Sequence, residues 1–173
     1  MSIHTDLDQP ENPDIPPAQS AAFMDSYLDA LNLVERLHRL LLDVIKDEFE
    51  RVGLLEINAV QALLLFNVGD NEVTAGELKS RGYYQGSNVS YNLKKLVEAG
   101  YMHHERSEID RRSVRVRLTE KGRGVHVLVT KLFRTHSEGL MDRAVLDRQG
   151  IENIAIALRR VERYWTEQIR YIY

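Results

Sequence analysis

Apolar residues recur every three or four positions from Phe23 to Val97, every second position in residues 101–106 and 114–118, and every three or four again to the C-terminus. A period near 3.6 gives a helix with one buried face, and a period of two gives a strand with one buried face. The chain is therefore predicted to be mainly α, with one small β-hairpin set into a run of helices. All four prolines, Pro10, Pro13, Pro16 and Pro17, precede the first helical stripe, so none interrupts these elements.

The first stripe, Phe23, Tyr27, Leu31, Val34, Leu37, Leu41, Val44 or Ile45 and Phe49, marks one long helix that Gly53 ends. Twenty-seven residues at ~1.5 Å each span roughly 40 Å, too long for a small domain to cover, so part of this stripe is expected to meet another chain. A second helix runs from Ile57 to Val68, with Asn58 and Gln61 spaced as a capping box and Gly69 at its end. Thr74 and Glu77 form a cleaner capping box, which opens a short helix finishing near Gly82. The next helix, residues 87–99, should bury Val89, Leu93, Leu96 and Val97, and Gly100 caps it. Two short helices joined by a tight Gly-containing turn make a helix-turn-helix. The two strands follow at once, with a polar tip at 107–112. Thr119 then caps a helix from Glu120 to about Met141. From Gly150 a final stripe repeats Ile151, Ile154, Leu158, Val161, Trp165, Ile169 and Ile172. This organisation gives an acidic, Pro-rich arm, expected to be disordered, at 1–21. A helical dimerisation region follows at 22–55 and 120–173, and a winged helix-turn-helix domain at 56–119.

Charge is distributed unevenly along this chain of net charge −3. The first twenty residues hold Asp6, Asp8, Glu11 and Asp14 with no Lys or Arg, whereas residues 79–123 hold eleven basic and five acidic side chains. A basic middle between acidic flanks predicts a local polyanion-binding surface. A helix fits the major groove of a duplex, and a hairpin beside it can place an arginine in the minor groove. On the helix after the turn, Ser87, Asn88, Ser90, Tyr91, Asn92, Lys94 and Lys95 are read as facing away from the apolar stripe. Asn and Ser suit base edges, and lysines suit phosphate. Arg111 and Arg112 occupy the wing tip, with Arg115 and Arg117 on one strand face beside it. The expected partner is double-stranded DNA.

The sequence resembles the MarR family of dimeric bacterial transcription regulators. The likeness covers residues 22–172 and rests on the order of helices, on Leu-Val-Glu-Ala-Gly100-Tyr closing the reader helix, and on the Asp110-x-Arg112 wing followed by Leu118-Thr119-Glu-Lys-Gly122. It implies that a wing arginine reaches the minor groove, that Asp110 positions the wing arginines, and that the protein is a homodimer. Two reader helices about 34 Å apart would address successive major grooves of a pseudo-palindromic operator, and the expected function is a sequence-specific regulator, a repressor. It also implies a small-molecule effector in an apolar cleft, here nominated as His38, Leu42, Leu63 and Phe66. The string from Gly82 to Leu96 looks like the LdtR-type branch, associated with cell-wall L,D-transpeptidase control. The reader helix departs from the common pattern, with Tyr91 where many members carry arginine and Gln85 where Ser or Thr is frequent, so base contacts are not transferred wholesale.

Other functions leave fewer marks. The absence of cysteine excludes a disulfide framework, a thiol nucleophile and cysteine-based peroxide sensing. No phosphate-binding glycine loop, nucleophile elbow or His-Glu-x-x-His is present, so the chain is not read as an enzyme and no cofactor is expected. His103 and His104 alternate across a strand and His126 and His136 lie ten residues apart, so no metal site is assigned. No apolar run is long enough for a membrane span, and no signal peptide is recognised, which predicts a cytoplasmic protein. The alternative reading is an architectural or scaffold protein that binds nucleic acid without sequence preference.

Overall fold

The computed structural model describes residues 16–74, 77–78, 86–106 and 114–172. The elements are α1 (Pro17–Arg51), α2 (Ala59–Val68), β1 (Val73–Thr74), α3 (Gly86–Glu98), β2 (Met102–Arg106), β3 (Val114–Leu118), α4 (Glu120–Asp142) and α5 (Arg148–Ile172). The fold class is as expected, mostly helical with a small antiparallel sheet. The chain forms two units divided within α1, between Val44 and Ile45. The first is represented by the helix up to Val44, and the second holds everything after it.

Local chemistry fixes most boundaries. α1 starts at Pro17, five residues inside the segment expected to be a disordered arm. Proline suits the first helical position because its missing N–H has no helical partner there. The carbonyl of Pro16 accepts from the backbone N–H groups of Gln19 and Ser20. α2 carries the full capping box, with Asn58 Oδ1 accepting from Gln61 N at 2.9 Å and Gln61 Oε1 from Asn58 N at 3.0 Å. The Thr74–Glu77 box is also formed, at 2.6 and 3.0 Å. Gly100 adopts φ +75° and ends α3, with Tyr101 N bonded back to Leu96 O and Gly100 N to Val97 O. This left-handed turn costs a glycine little. Asp147, which the sequence reading passed over, opens α5 by accepting from Gly150 N at 2.7 Å.

The sheet has three strands in the order β1-β3-β2, all antiparallel, where a two-strand hairpin was expected. β2 and β3 pair from Met102 with Leu118 to Arg106 with Val114. The added strand, β1, places Val73 opposite Val116. Alternation along β3 buries Val116 and Leu118 and turns Arg115 and Arg117 outward. The core of the second unit joins Ile45 and Phe49 of α1 to Leu64, Leu65 and Val68 of α2, Val89 and Leu96 of α3, Tyr101, and Val125 and Val129 of α4. α2 packs mainly on α4, where Phe66 meets Phe133 edge-on at 5.0 Å and stacks on His126 at 5.6 Å. Among the described residues no helix is long and apolar enough to cross a membrane.

Candidate nucleic-acid interface

α3 is amphipathic for a simple reason. Val89, Leu93 and Leu96 recur at helical spacing and are buried, so whatever lies between them faces out. Asn88, Ser90, Tyr91, Lys94 and Lys95 are exposed, as the sequence predicts. Asn92 is a correction. It occupies the third-residue step of the buried stripe 89, 92, 93, 96, retains 9 % exposure, and donates its side-chain amide to Asn88 O at 2.9 Å. One amide N–H is committed to the helix and the side chain is nearly covered, so Asn92 is not on the exposed face where the sequence placed it. The residue type suggested a reader, but the helical angle decided otherwise. The side chain of Ser87 and the wing residues Asp110, Arg111 and Arg112 lie outside the described residues.

The exposed cations of this face are held by carboxylates. Lys94 and Lys95 both approach Glu98, at 3.8 and 3.4 Å, and Lys95 also lies over the Tyr91 ring at 5.9 Å. On the sheet Arg115 reaches Glu72 at 3.5 Å and Arg117 reaches Glu105 at 2.9 Å. The Arg117 guanidinium holds the Glu105 carboxyl below its usual range. Sequence reasoning missed these partners because Glu72 is 43 residues from Arg115 and they meet only once β1 pairs with β3.

A polar clasp joins the two residues that flank the β2–β3 pair, Tyr101 and Lys121, to Glu56. Lys121 Nζ, in the first turn of α4, sits 2.7 Å from Glu56 Oε2 and 4.2 Å from the Tyr101 ring centroid. The Tyr101 hydroxyl donates to the same carboxylate oxygen at 3.2 Å. Lys121 and, second, Tyr101 hold the Glu56 carboxyl below its usual value, and Glu56 holds the Lys121 ammonium above its own. The Tyr101 hydroxyl is pushed up chiefly by burial. Thr119 Oγ1 donates to Gly100 O at 2.8 Å and accepts from Gly122 N at 3.1 Å, so the end of α3 and the start of α4 are joined through one threonine.

Two of the four residues nominated for an effector belong to each unit. In the first unit His38 is exposed and Leu42 half-buried; in the second Leu63 is buried and Phe66 half-buried.

Residues 57–122 match a family model described as a winged helix DNA-binding domain. The exopolysaccharide II synthesis transcriptional activator ExpG of Rhizobium meliloti (strain 1021) is 33 % identical over 146 residues, covering 84 % of this chain and 75 % of that protein. The crystal structure of a MarR transcriptional regulator from Methanosarcina mazei Go1 superposes with a TM-score of 0.60 at 27 % identity, over 79 % of this chain and 95 % of the other. The chain belongs to the MarR family. A fellow winged-helix fold, Streptococcus pneumoniae FabT, solved in complex with DNA, covers 82 % of this chain and 99 % of its own at a TM-score of 0.61 and 21 % identity. This MarR-family chain is thus a transcriptional regulator with a winged helix DNA-binding domain, and its relatives are not enzymes.

Proposed function

We propose that the protein is a homodimeric, sequence-specific DNA-binding regulator acting on a pseudo-palindromic operator in the compartment that holds the chromosome. The observation that carries this reading is the continuous exposed strip of Asn88, Ser90, Tyr91, Lys94 and Lys95 on α3, beside a sheet whose Arg115 and Arg117 point outward. In the proposed complex Asn88 and Ser90, with Ser87, meet base edges, while Lys94, Lys95 and Arg115 meet phosphate. Arg111 and Arg112 enter the minor groove, with Asp110 positioning them. Residues 22–55 and 120–173 would form the dimer and 56–119 the DNA-binding domain.

The sign of regulation follows from where the operator lies. An operator overlapping a promoter excludes polymerase, and we propose repression on that basis; an upstream operator permits activation, the activity in the name of the Rhizobium meliloti relative. A small effector would release DNA only if it bound better to a dimer whose reader helices are wrongly spaced. The likeness of residues 82–96 to the LdtR-type branch makes promoters of cell-wall L,D-transpeptidase genes the first fragments to test. Genome-wide selection of bound fragments, followed by competition with random duplex, tests the whole reading. Retention of a selected site with ~10³-fold or greater preference supports it. Equal displacement by random duplex identifies an architectural protein instead.

A further inference from the structure

Every basic side chain that the structure describes between residues 94 and 123 has a carboxylate partner within the same chain. Lys94 and Lys95 share Glu98, Arg115 has Glu72, Arg117 has Glu105, Lys121 has Glu56 and Arg123 has Glu120. These pairs differ in setting. Those of Lys121 and Arg123 brace the first turn of α4, whereas Glu98, Glu72 and Glu105 neutralise the cations on the exposed faces of α3 and β3. Arg115 and Arg117 stay about half exposed, as do Glu72 and Glu105. Water reaches all four, so these pairs are weak and exchangeable.

We propose that Glu72, Glu98 and Glu105 are internal competitors for phosphate. They occupy the cations of the DNA-facing surface in the free protein, and a duplex must displace them. The proposal rests on the DNA-binding reading above and adds affinity-setting residues to it. A phosphate contact gains affinity from the charge it meets and from the counterions it releases. Where a carboxylate already holds the cation, the local field on the approaching phosphate is reduced, and the carboxylate must afterwards be left to solvent. The loss applies at every phosphate contact whatever the base sequence, so it lowers affinity for operator and for bulk DNA alike. The bound state then depends more heavily on base contacts made by α3. The geometry suits this role: Glu98 shares α3 with its lysines, Glu105 is on the strand paired with that of Arg117, Glu72 directly precedes β1, and none is buried.

The test uses the full chain and fluorescence anisotropy with two duplexes, a selected operator fragment and a random duplex of equal length. Glu98→Gln and the double variant Glu72→Gln, Glu105→Gln should each tighten binding to both duplexes, by about two- to fivefold per freed cation. The slope of log affinity against log salt should steepen by up to about 0.9 per freed cation. Glu152→Gln serves as a charge control, because its partner Arg148, at 2.8 Å, lies on α5 outside the proposed contact surface. It should leave both affinities within experimental error. Unchanged affinity for the random duplex in Glu98→Gln and the double variant overturns the proposal, as does equal tightening by Glu152→Gln. Failure of the wild type to bind any duplex at low salt would instead overturn the DNA-binding reading itself. Thermal unfolding verifies that the variants fold, and at exposed pairs it should move little.

Discussion

Two asparagines four residues apart on α3 show how position outranks residue type. Asn88 is exposed, whereas Asn92 is inside the apolar stripe with its amide bonded to Asn88 O. Asn88→Ala should therefore weaken operator binding by ~1–3 kcal/mol with little change in random-duplex affinity, which is the mark of a lost base contact. Asn92→Ala should act mainly on unfolding, with operator preference retained; anisotropy and urea titration separate the two. Gly122 is constrained differently. A Cβ there would stand 2.1 Å from the carbonyl oxygen of Tyr101, which is backbone and cannot rotate away. Gly122→Ala should destabilise the fold by about 1–3 kcal/mol or more, measured by urea unfolding. An alanine variant as stable as wild type would show that the α3–α4 junction has room the structure does not give it.

At the level of elements, the junction is also electrostatic. Glu56 titrates below the ordinary carboxylate range because of Lys121 and Tyr101, and Lys121 titrates above the ordinary ammonium range because of Glu56. For a depressed carboxyl, stabilisation is present above its unfolded value, near pH 4, and is lost as pH falls through the lower native value. For a raised ammonium, it is present below the unfolded value, near pH 10, and is lost as pH rises through the native one. The stability difference between wild type and Lys121→Met should therefore be flat across neutral pH and shrink at both extremes. A difference that grows below pH 4 would exclude the pair as its source. The wing makes a second element-scale prediction: Arg112→Ala should cost ~1–3 kcal/mol at the operator, and equal operator affinity would remove the tip from the contact surface. The long helices, α2, α3 and the β2–β3 pairing were legible in the sequence because their signals are local, whereas the short helix expected from Thr74 to near Gly82 lies, but for Glu77 and Leu78, outside the described residues. Capping pairs such as Asn58 and Gln61, the turn glycine Gly100 and the alternation of Val116 and Leu118 lie within a few residues of what they determine. β1 was not legible, since two residues carry no period and Val73 becomes a strand only by pairing with Val116. The carboxylate partners of the arginines were hidden for the same reason, because folding brings together what the sequence separates.

For the molecule as a whole, the decisive fact is apolar surface that stays exposed among the described residues. Along α5, Ile151, Ile154, Leu158 and Ile169 remain between 44 % and 61 % exposed, at the spacing of one helical face. Among the described residues, no other element of the second unit packs extensively on that helix. A contiguous stripe of this kind is unfavourable in water, and it is the surface on which the proposed homodimer would associate. Phe23, Leu37 and Leu40 of α1 are exposed in the same manner in the first unit. A two-fold dimer would bury identical stripes against one another and set two reader helices about 34 Å apart, matching successive major grooves. Leu158→Glu would place a charge in the middle of the α5 stripe on both protomers at once, leaving each without a partner. Light scattering at micromolar concentration should show the wild type at twice the monomer mass and Leu158→Glu at the monomer mass. Operator affinity should fall by more than tenfold in the variant, and its salt slope should drop by about half, because one reader helix and one set of phosphate contacts remain per binding event. A monomeric wild type would leave the stripe unexplained and would sever the operator symmetry from the protein's own. A dimeric Leu158→Glu with undiminished affinity would place the association surface elsewhere on the chain.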